Sequence, residues 1–211
     1  MSKWRSSIKN EHPQQITVEL PQMDSDKSEK DPQISSPILS NKLYFYSDVT
    51  RDSIHILNRQ IDELTRSLRV LQIQYDLIHT PVIELFISSD GGEIFAGLAA
   101  VDKIINNPIS IHTKCEGIVA SAATFLSVVG KKRTISENST MLVHQISSSL
   151  WGNYAQFQDE IKNLDLIMKI VRKIYFKHTK FTESDLEEML KHDLCLSSED
   201  CLKFGLVDEI C

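Results

Sequence analysis

Strand-like and helix-like segments alternate through the middle of the chain, and this alternation is the strongest constraint on its fold. The strand-like segments are short apolar runs rich in β-branched residues, whereas the helix-like ones repeat apolar residues at intervals of three and four. The pattern predicts strands over 82–88, 109–115, 133–135 and 141–145, and helices over 93–107 and 121–130. This alternation is typical of an α/β fold with a largely parallel sheet, whose functional residues gather where the strands end.

A long amphipathic helix precedes this region. It follows a short strand-like segment at 43–46, begins at a cap provided by Asp48 or Thr50, and carries an apolar seam along 54–78. We expect the helix to lie on the sheet. If the far end of the seam extends beyond the sheet, it would meet another subunit.

Residues 1–41 differ in composition from the rest of the chain. They hold four of the six prolines, together with mixed charges and little apolar periodicity. We therefore expect a flexible N-terminal arm. The folded domain is predicted to cover 42–211.

The overall composition argues against several classes of protein. A net charge of −6 disfavours nucleic acid as a partner. The chain has no apolar N-terminal segment typical of a signal peptide and no apolar run long enough to span a membrane. Its four cysteines lack the spacing of a metal site or a disulfide framework, so we expect no metal, no cofactor and a cytoplasmic location.

Three local features together suggest acyl-transfer chemistry. Ser121 stands where an apolar strand is expected to turn, over 117–121, into a helix of small residues. Gly91 and Gly92 follow another strand, where glycine lets the backbone approach a ligand closely, and His144 lies near the end of a third. Hydrolysis of an acyl group needs a nucleophile, oxyanion donors and a general base. The alternative for Ser121 is a helix-capping role, since serine is a preferred N-cap residue.

Four motifs in this order resemble the proteolytic subunit of Clp protease, the ClpP family, including divergent members found in phages. They are Ser-Asp-Gly-Gly at 89–92, Gly-Ile-Val-Ala-Ser at 117–121, Met-Leu-Val-His-Gln at 141–145, and the stretch from His-Asp to Gly-Leu-Val-Asp at 192–208. The resemblance covers residue 42 to the C-terminus. It implies a fold of repeated β-β-α units, related to the crotonase fold, with a protruding strand-helix handle at about 146–178.

The resemblance also implies a role for each site residue. Ser121 would be the nucleophile, His144 the general base and Asp193 the carboxylate that orients the imidazole. The backbone amides of Gly92 and Ala122 would form the oxyanion hole. On residue type alone other carboxylates are available, namely Asp165, Asp185, Asp200 and Asp208. The motif that surrounds Asp193 selects it.

By the same resemblance, the chain is expected to act as a subunit of an ATP-dependent serine endopeptidase. The handle would join two heptameric rings into a tetradecamer, and an AAA+ unfoldase would deliver unfolded polypeptide substrates. The expected location is the cytoplasm, or the host cytoplasm if a phage encodes the chain.

The sequence departs from the family pattern at three places. Asp90 replaces a proline before the glycine pair, where its charge would oppose an oxyanion unless the side chain points away. His192 replaces an arginine that pairs across rings, and the segment after His144 lacks the usual proline and glycine pair. These departures motivate one alternative, a non-catalytic ring or scaffold subunit. The other alternative is a crotonase-type acyl-CoA enzyme, in which Ser121, His144 and Asp193 would have no role as a set.

Overall fold

The computed structural model describes residues 40–78 and 81–211. The predicted N-terminal arm at 1–41 lies almost entirely outside the described residues, so it stays a prediction. No helix within the described ranges is both long and apolar enough to cross a membrane.

Strands and helices follow one another much as the sequence pattern predicts. In chain order they are β1 (Lys42–Phe45), α1 (Arg51–Gln74), β2 (Ile83–Ser89), α2 (Ile94–Asn106), β3 (Ile111–Ala120), α3 (Ala122–Val128), β4 (Arg133–Ile135), β5 (Thr140–Leu142), α4 (Tyr154–His178), α5 (Glu183–Lys191), β6 (Cys195–Leu196), α6 (Ser198–Lys203) and β7 (Glu209–Ile210).

The strands form one mixed but mainly parallel sheet, which confirms the expected α/β fold. Its main path runs β1-β2-β3-β4-β7, with every neighbouring pair parallel. The long strand β3 pairs with β4 along its first half and with β5 along its second half. β6 then adds to β5 in the antiparallel direction. β5 and β6 therefore extend the sheet beside the second half of β3, off its main path.

The predicted turn over 117–121 is wrong in its extent, because β3 continues through it to Ala120. Gly117 lies inside the strand with a φ of +62° and forms a bulge, across which Ile87 pairs with Cys115 but Ser89 pairs with Val119. The apolar residues after Gly117 resume strand pairing, since the bulge costs only a local break in the ladder. The change of direction occurs at Ser121 alone.

The first long helix packs on the sheet as expected. Thr50 caps α1 in a reciprocal capping box with Ser53. The apolar seam is buried as far as Leu68, whereas Ile73 and Ile78 beyond it are exposed. The end of the seam thus extends past the core of this subunit.

The predicted handle is present as a helix without its strand. α4 begins at Tyr154, capped by Asn153, but no strand forms between Leu142 and Tyr154 in the described chain. Only Val171 and Tyr175 of α4 are buried, so its C-terminal half alone packs on the core. The N-terminal half exposes large apolar side chains, namely Phe157, Ile161 and Leu166.

An ion pair ties the C-terminal strand to the sheet. The Arg133 guanidinium pairs with the Asp208 carboxylate and donates to the carbonyls of His178 and Gly205. The Arg133 side chain is only 15% exposed, and hydrogen bonds from Arg133 hold the pKa of Asp208 below its usual range. The pair therefore fixes β4, β7 and the end of α4 together.

We expect Asp208→Asn to lower the free energy of unfolding at pH 7 by about 1 kcal/mol, because the Asp208 carboxylate is partly exposed and its ion pair is screened. The folded-state pKa of Asp208 lies below the unfolded value of about 3.9, so its contribution is present above that pH and is lost as the pH falls through the folded pKa. Urea unfolding at pH 7 and pH 3 would therefore show a difference from the wild type that shrinks at pH 3.

The control is Glu209→Gln, which removes the neighbouring exposed ion pair with Lys132. It should leave the unfolding midpoint unchanged. Equal midpoints for the two variants at pH 7 would contradict the structural role of Asp208.

Candidate active site

Ser121 occupies a backbone conformation that is uncommon for a residue with a side chain. It links β3 to α3 with φ +53° and ψ −128°. Its amide donates to the Leu142 carbonyl at 2.9 Å, and its carbonyl accepts from the Thr124 amide at 3.0 Å. The Ser121 hydroxyl makes no capping hydrogen bond to α3. The capping alternative therefore finds no support, and the hydroxyl is left free on a tightly held turn.

The Gly91–Gly92 turn packs directly against this serine. A Cβ on Gly91 would lie 2.6 Å from the Ser121 Cβ and 2.7 Å from the Ala120 carbonyl oxygen. Gly91 and Gly92 also have φ values of +98° and +143°, which favour glycine. No other residue type would let the two turns approach so closely.

Val49 holds the glycine turn in place from the other side. Its amide donates to the Gly91 carbonyl and its carbonyl accepts from the Glu93 amide, both at 2.7 Å. A Cβ on Gly92 would lie 2.3 Å from the Val49 carbonyl oxygen. Val49, two residues before α1, thus holds the turn at the end of β2 in place.

Two backbone amides beside Ser121 are left available. Within the described chain, neither the Gly92 amide nor the Ala122 amide donates to a protein acceptor, whereas the Gly91 amide donates to the Ser89 hydroxyl. Ala122 is the first residue of α3, where amides lack an intrahelical partner. Gly92, Ser121 and Ala122 line one cavity. The two amides are therefore suitably located to bind an anion next to the serine.

The register of two short strands brings His144 and Asp193 together. β5 and β6 pair antiparallel, with Leu142 opposite Cys195. Continuing this register two residues past the end of β5 sets His144 opposite Asp193, and His144 Nδ1 lies 3.0 Å from an Asp193 carboxylate oxygen. The carboxylate thus engages one ring nitrogen and leaves Nε2 for another partner.

His144 and Ser121 line the same cavity without a hydrogen bond between their side chains in the described chain. Both side chains line a space of about 290 Å³, and no hydrogen bond joins the Ser121 hydroxyl to the imidazole in the described residues. The strand β5 brings the histidine here, since the Leu142 carbonyl that holds the Ser121 amide lies two residues before it. Such bonds are often long in unliganded enzymes and tighten when substrate binds.

Two of the departures from the family pattern, Asp90 and His192, lie outside the cavity, whereas the segment after His144 lines it. Asp90 is exposed and does not line the cavity, although both neighbours on its C-terminal side belong to the glycine turn. His192 is exposed and its Nε2 lies 3.1 Å from a Glu188 carboxylate oxygen on α5.

No cysteine lines the cavity, and the described residues offer no set of metal ligands. Within 40–78 and 81–211, no group of three or more His, Cys, Asp or Glu side chains could hold a metal ion. Burial raises the pKa of the Cys115 and Cys201 thiols to about 12, so both stay protonated at neutral pH. Neither cysteine lines the cavity that contains Ser121.

Some supporting residues could not have been found from the sequence. Val49 acts through its backbone, so its side chain gives no signal. Thr124 hydrogen-bonds through Oγ1 to the Ser121 carbonyl and to the buried Tyr175 hydroxyl, each at 2.6 Å. In the sequence, Thr124 and Tyr175 occupy ordinary helix positions, so neither could be identified as a support for Ser121.

Comparison with known proteins identifies the family. The family model described as Clp protease matches residues 40–211. An "ATP-dependent Clp protease proteolytic subunit" from Deinococcus radiodurans is 29% identical over 169 residues, covering 78% of this chain and 83% of the relative. In fold, the chain is similar to a ClpP1 mutant from Listeria monocytogenes, with a TM-score of 0.69 at 20% identity over 81% of this chain and 91% of the other.

We expect Gly91→Ala to slow covalent labelling of Ser121 by a fluorophosphonate about 10²-fold, because the added methyl group must displace the serine. Intact-mass spectrometry over time would give the rate. The control is Gly205→Ala, at a residue that does not line the cavity, where φ is also positive at +69° but the nearest atom is Cγ of the flexible Lys180 side chain, 2.7 Å away. Both variants bear the cost of a positive φ, so an equal loss of labelling in the two would show that the contact with Ser121 is irrelevant.

Proposed function

The chain belongs to the Clp protease family, and on that premise we propose that it is a serine endopeptidase subunit in which Ser121, His144 and Asp193 cleave peptide bonds. The observation that carries the proposal is the pairing of His144 with Asp193 at 3.0 Å beside a cavity that also contains Ser121. A set of this kind is recognised by its geometry and roles, and it recurs on unrelated folds.

In the proposed mechanism, the Ser121 oxygen attacks the carbonyl carbon of the substrate. His144 Nε2 takes the hydroxyl proton, and Asp193 holds the imidazole in the required tautomer and stabilises the imidazolium. His144 then gives the proton to the leaving amine. Water, activated by the same histidine, releases the acyl group from Ser121.

The Gly92 and Ala122 amides would bind the oxyanion that forms during each attack. Preorganised amides stabilise developing charge strongly because they need little reorganisation at the moment of reaction. The rigid contacts of the glycine turn with Val49 and Ser121 support this role. The unused hydrogen-bonding capacity of the two amides is consistent with it.

We propose further that the subunit works within a closed oligomer. The name of the Deinococcus relative specifies an ATP-dependent protease subunit. In this chain, α4 and the end of α1 expose large apolar side chains, among them Phe157, Ile161 and Ile73. Such surfaces mark protein interaction sites. Two heptameric rings forming a tetradecamer, fed with unfolded polypeptide by an AAA+ unfoldase in the cytoplasm, would bury them.

Labelling with a fluorophosphonate tests whether Ser121 is activated. We expect stoichiometric labelling of the wild type, read by intact mass, and complete loss in Ser121→Ala and His144→Ala. Ser147→Ala is the matched control, since Ser147 lines the same cavity but has no proposed role in catalysis, and it should label normally. A folded, assembled wild type that does not label would favour the scaffold alternative.

Asp193→Asn tests the orienting role of the carboxylate. We expect kcat to fall about 10²- to 10⁴-fold with little change in KM, because an amide favours the wrong imidazole tautomer. Steady-state cleavage of a fluorogenic peptide gives both constants. Asp165→Asn is the control, since the Asp165 side chain is exposed and forms no hydrogen bond or ion pair in the described chain, and its kcat should equal the wild-type value. Equal activity of the two variants would remove Asp193 from the mechanism.

A further inference from the structure

The cavity beside Ser121 has apolar walls from three helices. Phe95 comes from α2, Phe125 from α3, and Leu164 and Ile167 from α4. Its volume of about 290 Å³ lies at the lower end of the range for small-ligand sites. A space of this size suits one side chain of a peptide substrate better than an extended ligand.

Two carboxylates share this cavity with the apolar walls. Glu93 stands at the N-cap position of α2, and Glu160 lies near the start of α4. The Ser148 hydroxyl donates to one Glu160 carboxylate oxygen at 2.7 Å, which leaves the other oxygen free of protein donors in the described chain. The arrangement holds the Glu160 side chain in the cleft.

Neither carboxylate has a positive partner. No salt bridge in the described chain includes Glu93 or Glu160, and no lysine or arginine lines the cavity. Among the described residues that line the cavity, His144 is the one with a basic side chain. The cleft therefore carries two uncompensated negative charges next to the serine.

We propose that this cleft selects a lysine or arginine as the residue that precedes the scissile bond, an inference that rests on the proposed peptidase function. In the acyl-enzyme the carbonyl carbon of that residue is bonded to the Ser121 oxygen. Its side chain is therefore the one that must fit the space around the serine. Long basic side chains place an apolar stem against apolar walls and a charged head against carboxylates. The walls and the two glutamates supply both parts.

The same charges give a second reason for this selection. Negative charge in the cavity opposes the oxyanion that forms when Ser121 attacks, and the opposition is strong where water is excluded. A bound guanidinium or ammonium group offsets it. Basic substrates should therefore gain in kcat/KM, not merely in binding.

The test compares two N-acetylated tripeptide coumarin amides, Ala-Ala-Arg and Ala-Ala-Leu, on the assembled full chain. We expect the wild type to prefer the arginine substrate about tenfold in kcat/KM, and Glu160→Gln to lower that preference about five- to tenfold while cleavage of the leucine substrate stays unchanged or rises. Glu93→Gln should act in the same direction. The preference of the wild type should also fall as salt is raised.

The matched control is Glu63→Gln on the exposed face of α1, which should leave the arginine preference intact. Glu160→Gln keeps an oxygen for the Ser148 hydroxyl, and fluorophosphonate labelling shows separately that Ser121 is active in each variant. Normal labelling with a wild-type preference for leucine, or with a preference that Glu160→Gln does not alter, would overturn the inference alone. Failure of the wild type to label would overturn the peptidase function and the inference with it.

Discussion

The contact between the Gly91–Gly92 turn and Ser121 is the constraint on which the site depends. Gly91 leaves room for no side chain against Ser121, and Gly92 leaves none against Val49. Three segments far apart in the sequence are thereby held within van der Waals distance: the approach to α1, the end of β2 and the end of β3. The same contact brings Gly92 and Ala122 to the cavity of Ser121, and neither of their amides donates to an acceptor in the described chain. Backbone contacts, rather than side chains, thus shape the part of the site that we propose binds the oxyanion.

The positions of His144 and Asp193 follow from the pairing of β3 with two different strands on the same side. The first half of β3 pairs with β4 and continues the main sheet, while the second half pairs with β5. β5 in turn pairs with β6 in the antiparallel direction. Gly117 allows this change, because the bulge shifts the register between the two halves. β5 then delivers His144 to the cavity, and the register with β6 places Asp193 behind it. A pairing shift in the sheet is therefore what assembles three residues from separate parts of the chain.

The sequence predicts the elements well because their apolar periods are clear, and it predicts Ser121 and His144 because each stands at the end of an apolar strand. Residue type alone could not distinguish Asp193 from the other candidate carboxylates, Asp165, Asp185, Asp200 and Asp208. The surrounding motif selected Asp193, and only the β5–β6 register explains the choice physically. The extent of β3 was mispredicted because a glycine was interpreted as a turn when it forms a bulge. The hydrogen bonds of Val49 to the glycine turn and the location of Glu160 in the cavity could not be predicted from the sequence, since both depend on contacts between distant elements.

In the proposed mechanism Ser121 is the nucleophile, and the Gly92 and Ala122 amides bind the oxyanion that forms on the substrate. A crystal structure of the assembled protein with a peptide aldehyde tests this most directly, because the adduct carries an oxygen where the oxyanion forms. We predict a covalent bond to the Ser121 oxygen and an adduct oxygen about 2.7–3.1 Å from both amide nitrogens. An adduct oxygen that points away from these amides, or no adduct in a fully occupied site, would contradict it.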